Sequence, residues 1–139
     1  MLGSMSELSV DDVRQWARTY AHAWEAADDA LILDCFTPHA SYRSSPFREP
    51  HVGHEAIQPY WQGAAGAQRR QRVVMGEPIV RGDRACIEWW ATFVEADGRE
   101  VTLPGALILT FVADGRCRDL REYWNQGGGR HEPFSGWGR

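Results

Sequence analysis

The stretch RACIEWWATFVEADGREVTLPGALILTFVADGRCRDLREYWN, Arg84 to Asn125, decides the fold. Three runs rich in apolar residues are parted by two copies of Ala-Asp-Gly, at 96–98 and 113–115. Asp-Gly between such runs signals a tight hairpin turn. The runs read as strands over residues 84–95, 100–113 and 116–125. A fourth strand, over 72–80, precedes them across Arg-Gly-Asp at 81–83. Four consecutive strands joined by tight turns predict an antiparallel meander.

Within Ala85–Val94 one face carries Ala85, Ile87, Trp89, Ala91 and Phe93, and the other Cys86, Glu88, Trp90, Thr92 and Val94. Both sets are largely apolar, so both faces are expected to be covered. Helices can cover one. A second copy of the chain is the simplest cover for the other, and a homodimer is expected.

Upstream the pattern is helical. After a Ser9 cap, apolar residues fall at Val13, Trp16, Ala17, Tyr20, Ala23, Trp24 and Ala27, one stripe of a helix. Asp28 and Asp29 break it and cap a second helix over 30–36, which Pro38 ends. A short strand is expected over 40–44, a proline-marked loop after it, and a third helix over 53–62, shortened or bent by Pro59. Helices first and sheet afterwards is an α+β order. Met1 to Ser4 read as a cloning remnant, and residues 1–8 are set outside the domain, which spans 9–126. Residues 127–139 form an irregular C-terminal tail.

The chain has 139 residues and a net charge of −4, a single-domain length. The acidic balance speaks against a nucleic acid partner; the one basic cluster, Gln68–Arg72, is short. Three unpaired-looking cysteines, Cys35, Cys86 and Cys117, suit reduced thiols in a cytoplasmic protein. No apolar run is long enough to span a membrane. His51 and His54 form an HxxH pair without an evident third ligand, so no metal is expected. No phosphate-cradling glycine motif is present, and no cofactor is expected.

The segments YAHAWEAADDALILDCFTPHASY, GHEAI, DGREVTL and DGRCRDLREYW together resemble the nuclear transport factor 2-like superfamily, and within it the SnoaL-like and ketosteroid isomerase-like branch. That resemblance implies a cone-shaped α+β fold, with N-terminal helices packed on a curved antiparallel sheet and an apolar pocket between them. Aligned on the isomerase pattern, the tyrosine that donates to an enolate oxygen falls on Tyr20. The aspartate base falls on Ser44, a second oxyanion donor on Leu107, and a supporting pocket tyrosine on Trp61. Two of the three chemical groups are thus replaced, and a serine cannot act as base without another group to activate it.

The same alignment expects Glu88, Trp90, Thr92 and Val94 in the pocket, with Leu107, Leu109 and Phe111 on the next strand and Leu120, Glu122 and Trp124 on the last. Two new carboxylates, Glu88 and Glu122, then stand beside Tyr20, Trp90 and Trp124. Burial among tryptophans disfavours a charged carboxylate and suits it to proton transfer near neutral pH. Pairing with Arg43, Arg118 or Arg121 would instead make either glutamate structural. If the last strand is shifted by one, Tyr123 and Asn125 face the pocket. Some SnoaL-like cyclases carry an acid/base aspartate near the end of this strand; the matching residue here is Asn125, which can only hydrogen-bond. The expectation is an apolar pocket for a cyclic or aromatic small molecule. It allows cofactor-independent isomerisation, cyclisation or dehydration by Tyr20 with Glu122 or Glu88. The alternatives are a non-catalytic ligand binder and a dimeric scaffold.

Overall fold

The computed structural model describes residues 8–139. The remnant assigned to Met1–Ser4 lies outside the described residues. Helix α1, Val10–Ala26, starts at a reciprocal cap. The Asp12 amide donates to the Ser9 hydroxyl and the Ser9 amide donates to the Asp12 carboxylate, each at 3.0 Å. Its predicted stripe is buried from Val13 to Trp24. Helix α2, Asp29–Asp34, begins at an Asp28 cap and ends sooner than its apolar residues suggest, because Phe36 already belongs to a strand. Helix α3, His54–Gly66, runs on past Pro59. Gln58 and Gln62 flank that proline and both donate to Asp29, at 2.7 and 2.9 Å, which ties α3 to α2.

The strands are β1 (Phe36–Arg43), β2 (His51–Val52), β3 (Gln68–Met75), β4 (Ile79–Arg81), β5 (Arg84–Glu95), β6 (Glu100–Phe111), β7 (Cys117–Trp124) and β8 (Gly127–Gly128). The run expected as one strand over 72–80 is two, broken by Gly76-Glu77-Pro78, and both parts pair with β5. The sheet order is β2-β1-β7-β6-β5-β3. The meander is antiparallel as expected, but β1 lies parallel to β7, so the sheet is mixed. One extra residue in β3, where Arg70 takes φ 55, and another in β7 opposite Thr110–Phe111 bend the sheet around the helices.

Register decides which residues face inward. Leu107 lies opposite Ile87 on one side and Glu122 on the other, and directly opposed residues share a face. The inner face of β5 is therefore Ala85, Ile87, Trp89, Ala91 and Phe93, all buried. Glu88, opposite Ala106, and Trp90, opposite Pro104, face outward with Thr92 and Val94. The expectation that Glu88 and Trp90 line the inner pocket is overturned. The three-residue loop Ala96–Gly98 pairs odd residues of β5 with odd residues of β6, so Leu107 and Glu88 cannot both point inward.

The tail is ordered across the outer face. The His131 amide donates to the Thr102 hydroxyl at 3.0 Å, and the Trp90 indole donates to the His131 carbonyl at 2.8 Å. The Gly138 amide donates to Glu88 Oε1 at 2.9 Å, and the Glu77 amide to the Gly138 carbonyl at 2.7 Å. A Cβ built on Gly76 would lie 2.7 Å from the Gly138 Cα, so this crossing of two backbones needs glycine. Among the described residues, no helix is long and apolar enough to cross a membrane.

Candidate active site

The inner face gathers a chain of hydroxyls on one carboxyl. β7 presents Glu122 inward, 6% exposed. β1 presents Tyr42, whose hydroxyl donates to Glu122 Oε1 at 2.9 Å. Tyr20 of α1 lies beyond it, its hydroxyl 3.2 Å from that of Tyr42. All three are buried. With Tyr42 donating to the carboxyl, Tyr20 donates to Tyr42, and the relay runs Tyr20 to Tyr42 to Glu122. Tyr20 therefore reaches the glutamate through a residue that sequence reasoning passed over. The other carboxyl oxygen has no hydrogen-bond partner among the described residues.

Burial dominates the electrostatics. It pushes the Glu122 carboxyl up from 4.5 to about 8, against the hydrogen bond from Tyr42, which works downward. Arg118 and Arg121 pair with Asp83 and Asp119 instead, so Glu122 is not held in the ion pair weighed for it. Burial, and next the nearby Glu122, hold the Tyr20 and Tyr42 phenols well above their ordinary range. Near neutral pH the cluster is an uncharged acid backed by two uncharged phenols.

The carboxyl looks into a cavity of about 70 Å3, lined by Trp24, Tyr42, Tyr60, Trp61, Trp89 and Trp124 among others. That is room for about two water molecules at ~30 Å3 each. Aromatic packing fills what a ring-sized pocket would need. Trp61 sits edge-on to Tyr20, Trp24 and Tyr42 at centroid distances of 5.6, 5.4 and 6.1 Å. The indole nitrogens of Trp61 and Trp89 are buried without a hydrogen-bond partner, an uncommon state.

Each position carried by the resemblance can now be placed. Tyr20, Trp61 and Leu107 are buried on the inner side, and Leu107 lies directly across from Glu122. Ser44 is buried at the end of β1, and its carbonyl accepts the Trp124 indole at 2.8 Å. Trp124 stands at the rim, 44% exposed, and touches both sides of the sheet. Tyr123 and Asn125 line a cavity on the outer side, with Glu88 and Trp90. The last strand thus has the unshifted parity, and the shifted alternative is excluded. His51 stacks on Tyr60 at 4.5 Å while a ring nitrogen of His54 meets the Phe36 carbonyl at 3.0 Å, so the HxxH pair is divided between two tasks.

Removing the Tyr42 hydroxyl takes away the one hydrogen bond that favours the ionised glutamate. Tyr42→Phe is expected to raise the Glu122 titration midpoint by about one pH unit. Carbon-13 carboxyl shifts followed against pH read it directly; an unchanged or lower midpoint would remove Tyr42 from the relay.

No curated protein sequence matches this chain significantly. Several solved structures share its fold. One is SalBIII, an epoxide hydrolase/cyclase-like enzyme in pyran ring formation in the polyether salinomycin, with 16% identity, 86% of this chain and 94% of that one covered, and a TM-score of 0.72. A putative aromatic ring hydroxylase from Novosphingobium aromaticivorans is 20% identical, with 88% and 96% covered and a TM-score of 0.72. A hypothetical protein from Catenulispora acidiphila with a ketosteroid isomerase-like fold, in complex with trimethylamine, is 16% identical, with 78% and 83% covered and a TM-score of 0.68. At such identities the likeness establishes the fold, the three-helix, curved-sheet cone, and not an activity. A sequence profile for the SnoaL-like domain matches residues 17–120, and with that match spanning most of its length the chain belongs to the SnoaL-like family.

Proposed function

We propose that the chain is a cofactor-independent enzyme that moves a proton on a small neutral, oxygen-bearing molecule, in an isomerisation, cyclisation or dehydration. The observation that carries this is the unpaired Glu122 carboxyl, buried at the end of a tyrosine relay and facing an aromatic cavity. Neutral Glu122 gives its proton to a substrate oxygen as the carbon–oxygen or carbon–carbon electron pair shifts towards that oxygen. The carboxylate left behind is held by the Tyr42 hydroxyl and takes a proton back from a substrate carbon or an attacking hydroxyl. No net proton or electron is gained or lost. A neutral acceptor suits the site better than an anion, because Glu122 must at times be charged within it. Only the reacting end of a substrate fits the cavity, and Trp124 at the rim would meet the remainder.

Two copies of the chain are part of this reading. Val74 and Ile79 leave apolar surface on the outer face of the β3–β4 half, which the tail does not cover. The three free cysteines suit a cytoplasmic setting.

The non-catalytic binder is the second reading, favoured by the small volume of the cavity. A thermal-shift screen of epoxides, enones and hydroxyketones, followed by turnover of any stabilising compound, separates the two. Glu122→Gln is expected to keep binding and to lower kcat at least about 100-fold. Turnover undiminished in that variant would sink the acid–base assignment.

A further inference from the structure

On the far side of the sheet the tail borders a second, open pocket, of about 400 Å3, that plays no part in the Glu122 chemistry. Its walls hold Trp90, Tyr123, Trp124, Phe134, Trp137 and Glu88. Trp90 and Trp137 meet edge to face, with centroids 5.9 Å apart and planes at 80°, and make an aromatic corner. The corner is anchored by backbone. The Trp90 indole nitrogen is tied to the His131 carbonyl, and Gly138, next to Trp137, is tied to Glu88. Tyr123, Trp124 and Phe134 remain well exposed, so the pocket is wet and apolar at once.

The charges here all have one sign. The chain has no lysine, and none of its arginines lines this cavity. Glu88 forms no ion pair among the described residues, and only its Oε1 is engaged. Aromatic faces are negative, and they attract cations most strongly when water is excluded. A sodium or magnesium ion would need several oxygen ligands to replace its hydration shell, and one carboxylate cannot supply them. A neutral apolar ligand would gain nothing from Glu88. A weakly hydrated organic cation uses both wall types. We propose that this cavity binds a small methylated ammonium ion of the choline type, free in solution, with its methyl groups on Trp90 and Trp137 and its charge compensated by Glu88.

Titration of the intact protein with choline chloride, read by tryptophan fluorescence, tests the proposal. Its controls are sodium chloride and 3,3-dimethylbutan-1-ol, the uncharged isostere. Choline is expected to saturate the signal and to bind at least about tenfold more tightly than the isostere. Trp137→Leu and Glu88→Gln are each expected to weaken it at least about fivefold. Glutamine keeps an acceptor for the Gly138 amide, so the tail stays in place in that variant, and an unchanged melting temperature confirms it. Equal binding of the isostere, a response reproduced by sodium chloride, or choline affinity unchanged in both variants would overturn the proposal. So would binding to phosphatidylcholine vesicles without binding of free choline, or a stable dimer that leaves choline without effect.

Discussion

Glu122→Gln is expected to stabilise the fold, and to do so increasingly as pH rises from 5 to 8. The unfolded chain releases the Glu122 proton near the ordinary value of 4.5, whereas the folded protein holds it to about 8. Between those values the folded state binds more protons than the unfolded one, so this group lowers stability as pH rises. Below 4.5 both states are protonated and there is no cost. Above 8 both are ionised and the cost is constant. Inside the window the slope approaches about 1.4 kcal/mol per pH unit. Glutamine keeps an acceptor for the Tyr42 hydroxyl and does not titrate. Its amide group adds only an offset independent of pH. Urea unfolding of both proteins at pH 5 and pH 7.5 should therefore show the variant gaining about 3 kcal/mol relative to the parent between the two conditions. Parallel stability curves would mean that Glu122 is ionised in the folded protein, and the general-acid role would fall with it. A residue that costs this much at neutral pH, where an apolar side chain would pack without penalty, is the pattern expected of a site kept for chemistry.

The sequence shows which residues form this site only where alternation and register agree. The α1 stripe places Tyr20 inward without help, because a 3.6-residue period tolerates no other face. Glu122 is placed correctly by the family resemblance, but strand counting alone would misplace it. The two Ala-Asp-Gly loops close alike, with the Glu95 amide donating to the Arg99 carbonyl and the Val112 amide to the Arg116 carbonyl. Extended without interruption, the second hairpin would put Glu122 outside. The extra residue at the start of β7 reverses the face, and nothing in Arg116-Cys117-Arg118-Asp119 announces a bulge. On β5 no bulge intervenes opposite β6, so plain hairpin counting from Leu107 would have turned Glu88 and Trp90 outward. Tyr42 was within reach as well. It lies two residues before Ser44, and side chains two apart in extended backbone share a face. The parallel β1–β7 pairing and the tail crossing were not legible, since each joins segments far apart in the chain through backbone groups that every residue carries.

Gly105→Ala is expected to destabilise the protein by about 3 kcal/mol, against the usual direction for such a change. Gly105 has no left-handed backbone requirement, and alanine in a strand interior ordinarily gains about 0.5–1 kcal/mol over glycine. The obstacle is Trp89 on the neighbouring strand. A Cβ on Gly105 would lie 2.4 and 2.5 Å from two atoms of the Trp89 ring, and 2.8 Å from the Tyr123 carbonyl. The indole lies over the glycine because no side chain stands there. It cannot retreat, being fully buried against Trp24 with ring centroids 5.2 Å apart. Any displacement therefore reaches the Glu122 cavity, which Trp89 helps to line. Denaturant unfolding measures the loss, and the same substitution in a Trp89→Leu background isolates its cause. There the smaller side chain leaves room, and the cost of Gly105→Ala should fall by more than half. A neutral or stabilising Gly105→Ala in the parent protein would show that the indole does not occupy this space. The wall assigned to the cavity would then have to be redrawn. The expected result, in contrast, makes Gly105 the residue through which the sheet sets the size of the site, since a missing methyl group on the inner face lets the facing indole lie over the strand and wall the cavity there.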